Sequence, residues 1–144
     1  MHNILFVCTA NIFRSRFAEE VFNFLAIKEK IPARAFSAGL KVGEYHIRKI
    51  YRPALEQLEK LNIKPKRPNE HSLHINEIEL TKYNQLICMD EAEHKPMVLS
   101  NSKLKEFNFE YWDIIDEPKV QSDVSLPICY NKVKEIVDGL KNKT

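Results

Sequence analysis

Hydrophobic and polar positions divide the chain into short apolar runs that alternate with helical stripes. After Asn3, residues 3–8 are an unbroken apolar run, the pattern of a strand buried on both faces of a parallel sheet. From 15 to 28 the period becomes helical. Phe17, Val21 and Leu25, with Ala18 and Phe24 beside them, share one face, while Arg16, Glu19, Glu20 and Asn23 face away. Phe17, Phe22 and Phe24 read as core. Pro32 closes this unit, and residues 34–38 form a short second strand. A loop punctuated by Gly39 and Gly43 then runs through Lys41, Tyr45 and His46. Pro53 opens a second helix with Ala54, Leu55, Leu58 and Leu61 as its stripe, closed by residues 62–65. Residues 66–75 have the composition of a loop, and 75–82 predict a short helix.

The third strand is 85–89, followed by Asp90 as N-cap of a helix over 91–99 that Pro96 distorts. Residues 107–115, rich in aromatic and β-branched side chains, contain the fourth strand. The last helix spans 127–140, with Val133, Ile136, Val137 and Leu140 inward. Without repeat, low-complexity stretch or linker, residues 1–144 read as one domain. Strands alternating with helices predict a parallel sheet with right-handed crossovers. All its strand C-termini share one edge, where ligands bind. Cys8, Ser37, Asp90 and Asp116 are thereby delivered to one rim.

Composition narrows the function. A formal charge of +2 on 144 residues is too mild to argue for nucleic acid, and Lys64, Pro65, Lys66 and Arg67 read as a solvated turn. No apolar run reaches membrane-spanning length, and the N-terminus lacks a signal-peptide pattern. Three cysteines without regular spacing fit a reducing compartment, so the expected location is cytoplasmic. The pair His71 and His74 has no acid or cysteine at matching spacing, so no metal and no cofactor are expected.

The chemistry gathers where the first strand meets the first helix. Cys8 ends the apolar run, and Arg14 and Ser15 follow after Thr9, Ala10, Asn11, Ile12 and Phe13. A loop of this length before a helix N-terminus can aim successive amides at a tetrahedral oxyanion. Arg14 supplies a planar two-pronged donor. The field that binds the anion also favours the thiolate of Cys8, placing a nucleophile beneath a phosphoryl group. Ser15 can donate to that thiolate or simply cap the helix. Asn11 suits a left-handed turn inside the loop.

The run from Val7 to Ser15 resembles the signature loop of the low-molecular-weight protein tyrosine phosphatases. Phe36, Ser37, Ala38 and Gly39 match a further motif, as do Leu86 to Glu91 and the Asp116, Glu117, Pro118 loop. The resemblance implies an α/β fold: a four-stranded parallel sheet of flavodoxin-like order 2-1-3-4 with helices on both faces. It implies hydrolysis of phosphotyrosine in proteins, and of small aryl phosphates, through a phosphocysteine intermediate. Cys8 is then the nucleophile, Arg14 the phosphate clamp, and residues 9–15 the phosphate-binding loop. Ser37 is expected to hydrogen-bond Asn11 and, with Asn11 and Ser15, to hold the loop's shape. The family takes its general acid from an Asp-Pro loop, which here is interrupted by Glu117. Counting from Trp112 selects Asp116, whereas anchoring on Pro118 selects Glu117. Strand alternation favours Asp116. Asp113 and Glu117 beside it are expected to raise its pKa.

Ala10, Phe13 and Arg16 depart from the family, which usually has Gly, often a second cysteine, and often Pro at those positions. Phe13 cannot protect Cys8 as a disulfide. The aromatic pair that often follows Asp-Pro is replaced by Lys119 and Val120. An arsenate reductase of the same fold needs a cysteine relay, but Lys95 stands where the partner of Cys88 would be. The arginine-phosphatase branch carries Thr where Ile12 stands. A phosphate carrier and a non-catalytic phosphotyrosine-binding module complete the alternatives; oligomeric state is not legible.

Overall fold

The computed structural model describes residues 1–43 and 49–143, so Tyr45 and His46 lie outside the described residues. Four parallel strands, β1 (His2–Cys8), β2 (Ala33–Gly39), β3 (Gln85–Cys88) and β4 (Glu110–Tyr111), lie in the order β2-β1-β3-β4. Four helices accompany them: α1 (Arg14–Lys28), α2 (Arg52–Lys60), α3 (Glu91–Leu99) and α4 (Ser122–Asn142). The expected order 2-1-3-4 is therefore the observed one.

The period of two along β1 explains the two cores. Ile4, Phe6 and Cys8 face a cluster with Phe17, Val21, Leu58, Cys129 and Val133, supplied by α1, α2 and α4. Leu5 and Val7 face the opposite cluster with Ile75, Leu80, Val98 and Leu104. Both faces are covered, as a continuous apolar strand requires. Helices α1 and α2 end alike: Lys30 and Asn62 take left-handed conformations at φ 57° and 58°, and Ile31 N–H and Ile63 N–H reach back to Ala26 and Leu58 carbonyls at 2.9 Å each. No helix among the described residues is long and apolar enough to cross a membrane.

Three expectations need correction. Residues 75–82 form two 3-10 turns, Ile75–Glu77 and Leu80–Lys82, the first capped by the His74 ring. The fourth strand lies within 107–115 as expected and is short, Glu110–Tyr111, because the chain before it is spent in turns that seat Leu104 in the second core. Helix α4 begins five residues before Pro127, whose fixed φ fits a helix and whose missing N–H removes one bond.

The largest correction concerns α1. Arg16, Glu19 and Glu20 do not face water; each is at most 2% exposed. The segment expected to be a solvated loop lies across them. Glu20 accepts from the backbone N–H groups of Lys66 and Arg67, both at 2.9 Å, and Arg67 Nε donates to Glu19 at 2.7 Å. Arg16 donates to the Glu70 and Arg67 carbonyls at 3.0 and 2.5 Å. Burial lowers the Arg16 pKa, while Glu19 and Glu20 oppose that shift. Glu19, Glu20 and Arg16 are buried, each with a partner, and the half-exposed Arg67 pairs with Glu19, which is the condition for buried charge to be tolerated. Helical periodicity separates faces by polarity; it cannot tell a face toward solvent from one toward a polar strap.

Candidate active site

Strand β1 ends at Cys8 and α1 begins at Arg14, so the intervening residues must turn the chain within a few residues. Asn11 does so at φ 58°. The loop's carbonyls are drawn outward. Cys8 O and Thr9 O accept from Leu40 and Lys41 at 3.0 and 2.8 Å, Ile12 O accepts from Tyr51 at 2.5 Å, and Asn11 O accepts from the Ser72 hydroxyl at 2.9 Å. The amides of residues 9–14 donate to no backbone carbonyl among the described residues. Within a peptide plane the N–H lies opposite to the C=O, so the N–H groups of Thr9, Ala10, Ile12 and Phe13 are turned away from these outward bonds, toward the inside of the loop.

The side chain of Asn11 locks the loop from within. Its Oδ1 accepts from Leu73 N–H at 3.1 Å, which leaves Nδ2 to donate to Ser15 Oγ at 2.9 Å. Ser15 Oγ lies 2.9 Å from Cys8 Sγ. Because Ser15 already accepts from Asn11, its own proton is available to the sulfur. Ser37 does not take part as expected. Its hydroxyl donates to Glu19 at 2.5 Å, and Asn11 is held by Ser72 and Leu73 instead. Thus Ser37 supports the strap network rather than touching the loop asparagine.

Gly39, at the end of β2, lets the loop approach. A Cβ there would lie 2.6 Å from Val42 Cγ2 and 2.8 Å from Thr9 O. Gly39→Ala is therefore expected to displace the loop and lower kcat/KM by about 10–100-fold, with about 1–3 kcal/mol of stability lost. Steady-state rates and urea midpoints check this; an unchanged kcat/KM would show that the loop tolerates the shift.

Arg14 is 1% exposed and points into the site. Nη1 donates to Ile114 O at 2.9 Å, and Nη2 to Glu93 Oε2 at 2.9 Å, with Asp116 Oδ2 at 3.5 Å. Nε is buried without a partner among the described residues. Burial opposes the charge on Arg14, yet Cys8, Glu93 and Asp116 outweigh it and raise its pKa. A buried guanidinium with one unsatisfied nitrogen, beside a loop whose amides have no backbone partner, has the donors an anion would need.

The acid comes from the chain after β4. Trp112 N–H and Ile114 N–H bond to Cys88 and Met89 carbonyls at 2.9 and 2.7 Å, which carries residue 116 to the rim. Asp116 reaches Arg14, whereas the Glu117 carboxylate turns to Ser122 N–H at 3.3 Å, at the start of α4. The Asp116 pKa is raised, and burial is the main cause; Arg14 and the Glu117 N–H oppose it, and Glu93 and Glu117 add to it. Asp113 is not among the causes, contrary to expectation. Asp90 caps α3 through Ala92 N–H at 3.2 Å. It lines a cleft of about 370 Å³ with Glu93, Asp116 and Glu117. Ile12 is half-buried at the cup's edge, and Phe13 stacks edge-on against Tyr51 with centroids 5.6 Å apart.

A sequence profile of the low molecular weight phosphotyrosine protein phosphatase family matches residues 3–143. The chain belongs to that family. Membership makes it a phosphatase-type enzyme, a hydrolase. A search of curated proteins by sequence found no match. Among solved structures, YfkJ from Bacillus subtilis is similar at TM-score 0.83 and 23% identity, covering 100% of this chain and 97% of its own. The phosphatase SP-PTP from Streptococcus pyogenes is similar at TM-score 0.75 and 20% identity, covering 99% and 93%. An arsenate reductase from Archaeoglobus fulgidus is similar at TM-score 0.69 and 22% identity, covering 94% and 98%. At these identities the likeness is one of fold.

Sequence reasoning missed Glu93, His94, Ser72 and the Ile114 carbonyl. Glu93 was within reach of the rim argument, since it sits one helical turn past Asp90. Ser72 carried no signal, because residues 66–75 have no periodicity.

Proposed function

We propose that the protein hydrolyses phosphotyrosine in protein substrates, and small aryl phosphates, through a phosphocysteine intermediate in the cytoplasm. The observation that carries this reading is the meeting of Cys8, Ser15 and a half-satisfied Arg14 around a ring of inward amides. The Cys8 thiolate attacks phosphorus as the bond to the phenolic oxygen breaks. The leaving phenolate takes a proton from Asp116. Arg14 and the loop amides hold the equatorial oxygens, where charge is stabilised in the transition state. Water then attacks phosphorus, giving its proton to the Asp116 carboxylate, and the thiolate leaves with the Ser15 hydroxyl as its donor. Ile12 offers an apolar edge to the aromatic ring.

An arsenate-reducing role finds less support. Cys88 and Cys129 are both fully buried, and burial pushes their thiols up, Cys129 to about 12.

Leaving groups test the assignment. Asp116→Asn is expected to slow phenyl phosphate by about 10²–10³-fold and para-nitrophenyl phosphate by far less, since only the poorer leaving group needs the proton. Glu117→Gln should leave that ratio as in wild type. The raised Asp116 pKa keeps the acid form present to higher pH than an ordinary aspartate; the acid-assisted step then fails as pH rises through that value. If Glu117→Gln shows the leaving-group pattern instead, the acid is misassigned. Rates on a phosphopeptide panel, with phosphoarginine and arsenate as controls, test the substrate class.

A further inference from the structure

We propose that Glu93 is a positioning carboxylate for Arg14, and the charge that keeps the site from holding phosphate too tightly. The proposal rests on the phosphatase reading above. Glu93 stands in the first turn of α3, and a single oxygen, Oε2, is shared by Arg14 Nη2 at 2.9 Å, the Thr9 hydroxyl and His94 Nε2 at 3.2 Å. His94 is fully buried, and its Nδ1 accepts from Asp90 N–H at 3.1 Å. In the neutral ring the proton is thus on Nε2, which can only donate, and both Glu93 and Thr9 Oγ1, at 3.1 Å, lie within reach. Burial opposes its charge, but His94, Arg14 and Thr9 keep its pKa far below the usual carboxylate range.

Two consequences follow for Arg14. With Nη1 held by Ile114 O and Nη2 by Glu93, the guanidinium plane is set before substrate arrives, so its rotational freedom is lost on folding rather than on binding. Glu93 also places a full negative charge one guanidinium away from the bound anion. That charge repels phosphate in the substrate, intermediate and product alike, which weakens binding without opposing the chemical step.

The two roles separate by substitution in the full chain, with inorganic phosphate and para-nitrophenyl phosphate as probes. Glu93→Gln keeps the shape and removes the charge. The phosphate dissociation constant should fall about tenfold and KM with it, with kcat lowered only about threefold. Glu93→Ala also unhooks Arg14, and kcat should fall about 10–100-fold, so that Gln restores what Ala loses. Unchanged phosphate affinity in Glu93→Gln, or equal kcat in the two variants, overturns the proposal. Should Glu93→Ala not fold, the phosphate affinity of Glu93→Gln decides alone. A wild-type protein that neither binds phosphate nor turns over the ester removes the phosphatase reading, and this role with it.

Discussion

Cys8→Ser is expected to lower turnover of aryl phosphates by at least about four orders of magnitude, while phosphate binding stays measurable. The loop backbone and the Arg14 hydrogen bonds do not depend on the sulfur. The loop carbonyls are tied by Leu40, Lys41, Tyr51 and Ser72, and Arg14 by Ile114 and Glu93. What is lost is a polarisable thiolate that Ser15 can stabilise at 2.9 Å. A serine hydroxyl at that place stays protonated near neutral pH, and the side chain bonded to this position among the described residues is the Ser15 hydroxyl, itself bonded to Asn11, not a base. Turnover of para-nitrophenyl phosphate and calorimetric titration with phosphate measure the two halves. Residual turnover within tenfold of wild type would mean that another group attacks phosphorus.

Arg14→Lys is expected to lower kcat by about 10³-fold, more than it raises KM. The guanidinium serves several directions at once: Nη1 on Ile114 O, Nη2 on Glu93, and a buried Nε left without a partner among the described residues. An ammonium is one point and cannot occupy them all. Glu93 would attract it strongly, so the charge moves off the anion and the Ile114 carbonyl loses a donor, a further cost of about 1 kcal/mol in stability. Equal losses in kcat and in phosphate affinity would instead mark Arg14 as a simple anchor. The contrast with Glu93→Gln is useful, since the two variants change phosphate affinity in opposite directions.

The same geometry explains why the departures at Phe13 and Arg16 are accommodated. Phe13 is 5% exposed and packs on Tyr51, whose N–H holds the Ile12 carbonyl. Arg16, where proline is often found, has become the inner end of the clamp on the strap that carries Ser72 and Leu73.

The β1 strand, its abrupt end at Cys8, the left-handed Asn11 and a helix opening directly after the loop (expected from 15, found from Arg14) were determined by the sequence alone. Each depends on forces acting within a few residues: apolar continuity, the tolerance of asparagine for positive φ, and the first turn of a helix. The parallel sheet followed from the alternation of such units. Only the tertiary structure decided which acid meets Arg14, since Asp116 and Glu117 are adjacent and their directions depend on bonds from residues 112 and 114 to β3. It also decided that Arg16, Glu19 and Glu20 are buried, and that Asn11 answers to Ser72, 61 residues away, rather than to Ser37. A polar side chain has no periodic signature for its partner; what it bonds to is settled by which distant segment is folded over it.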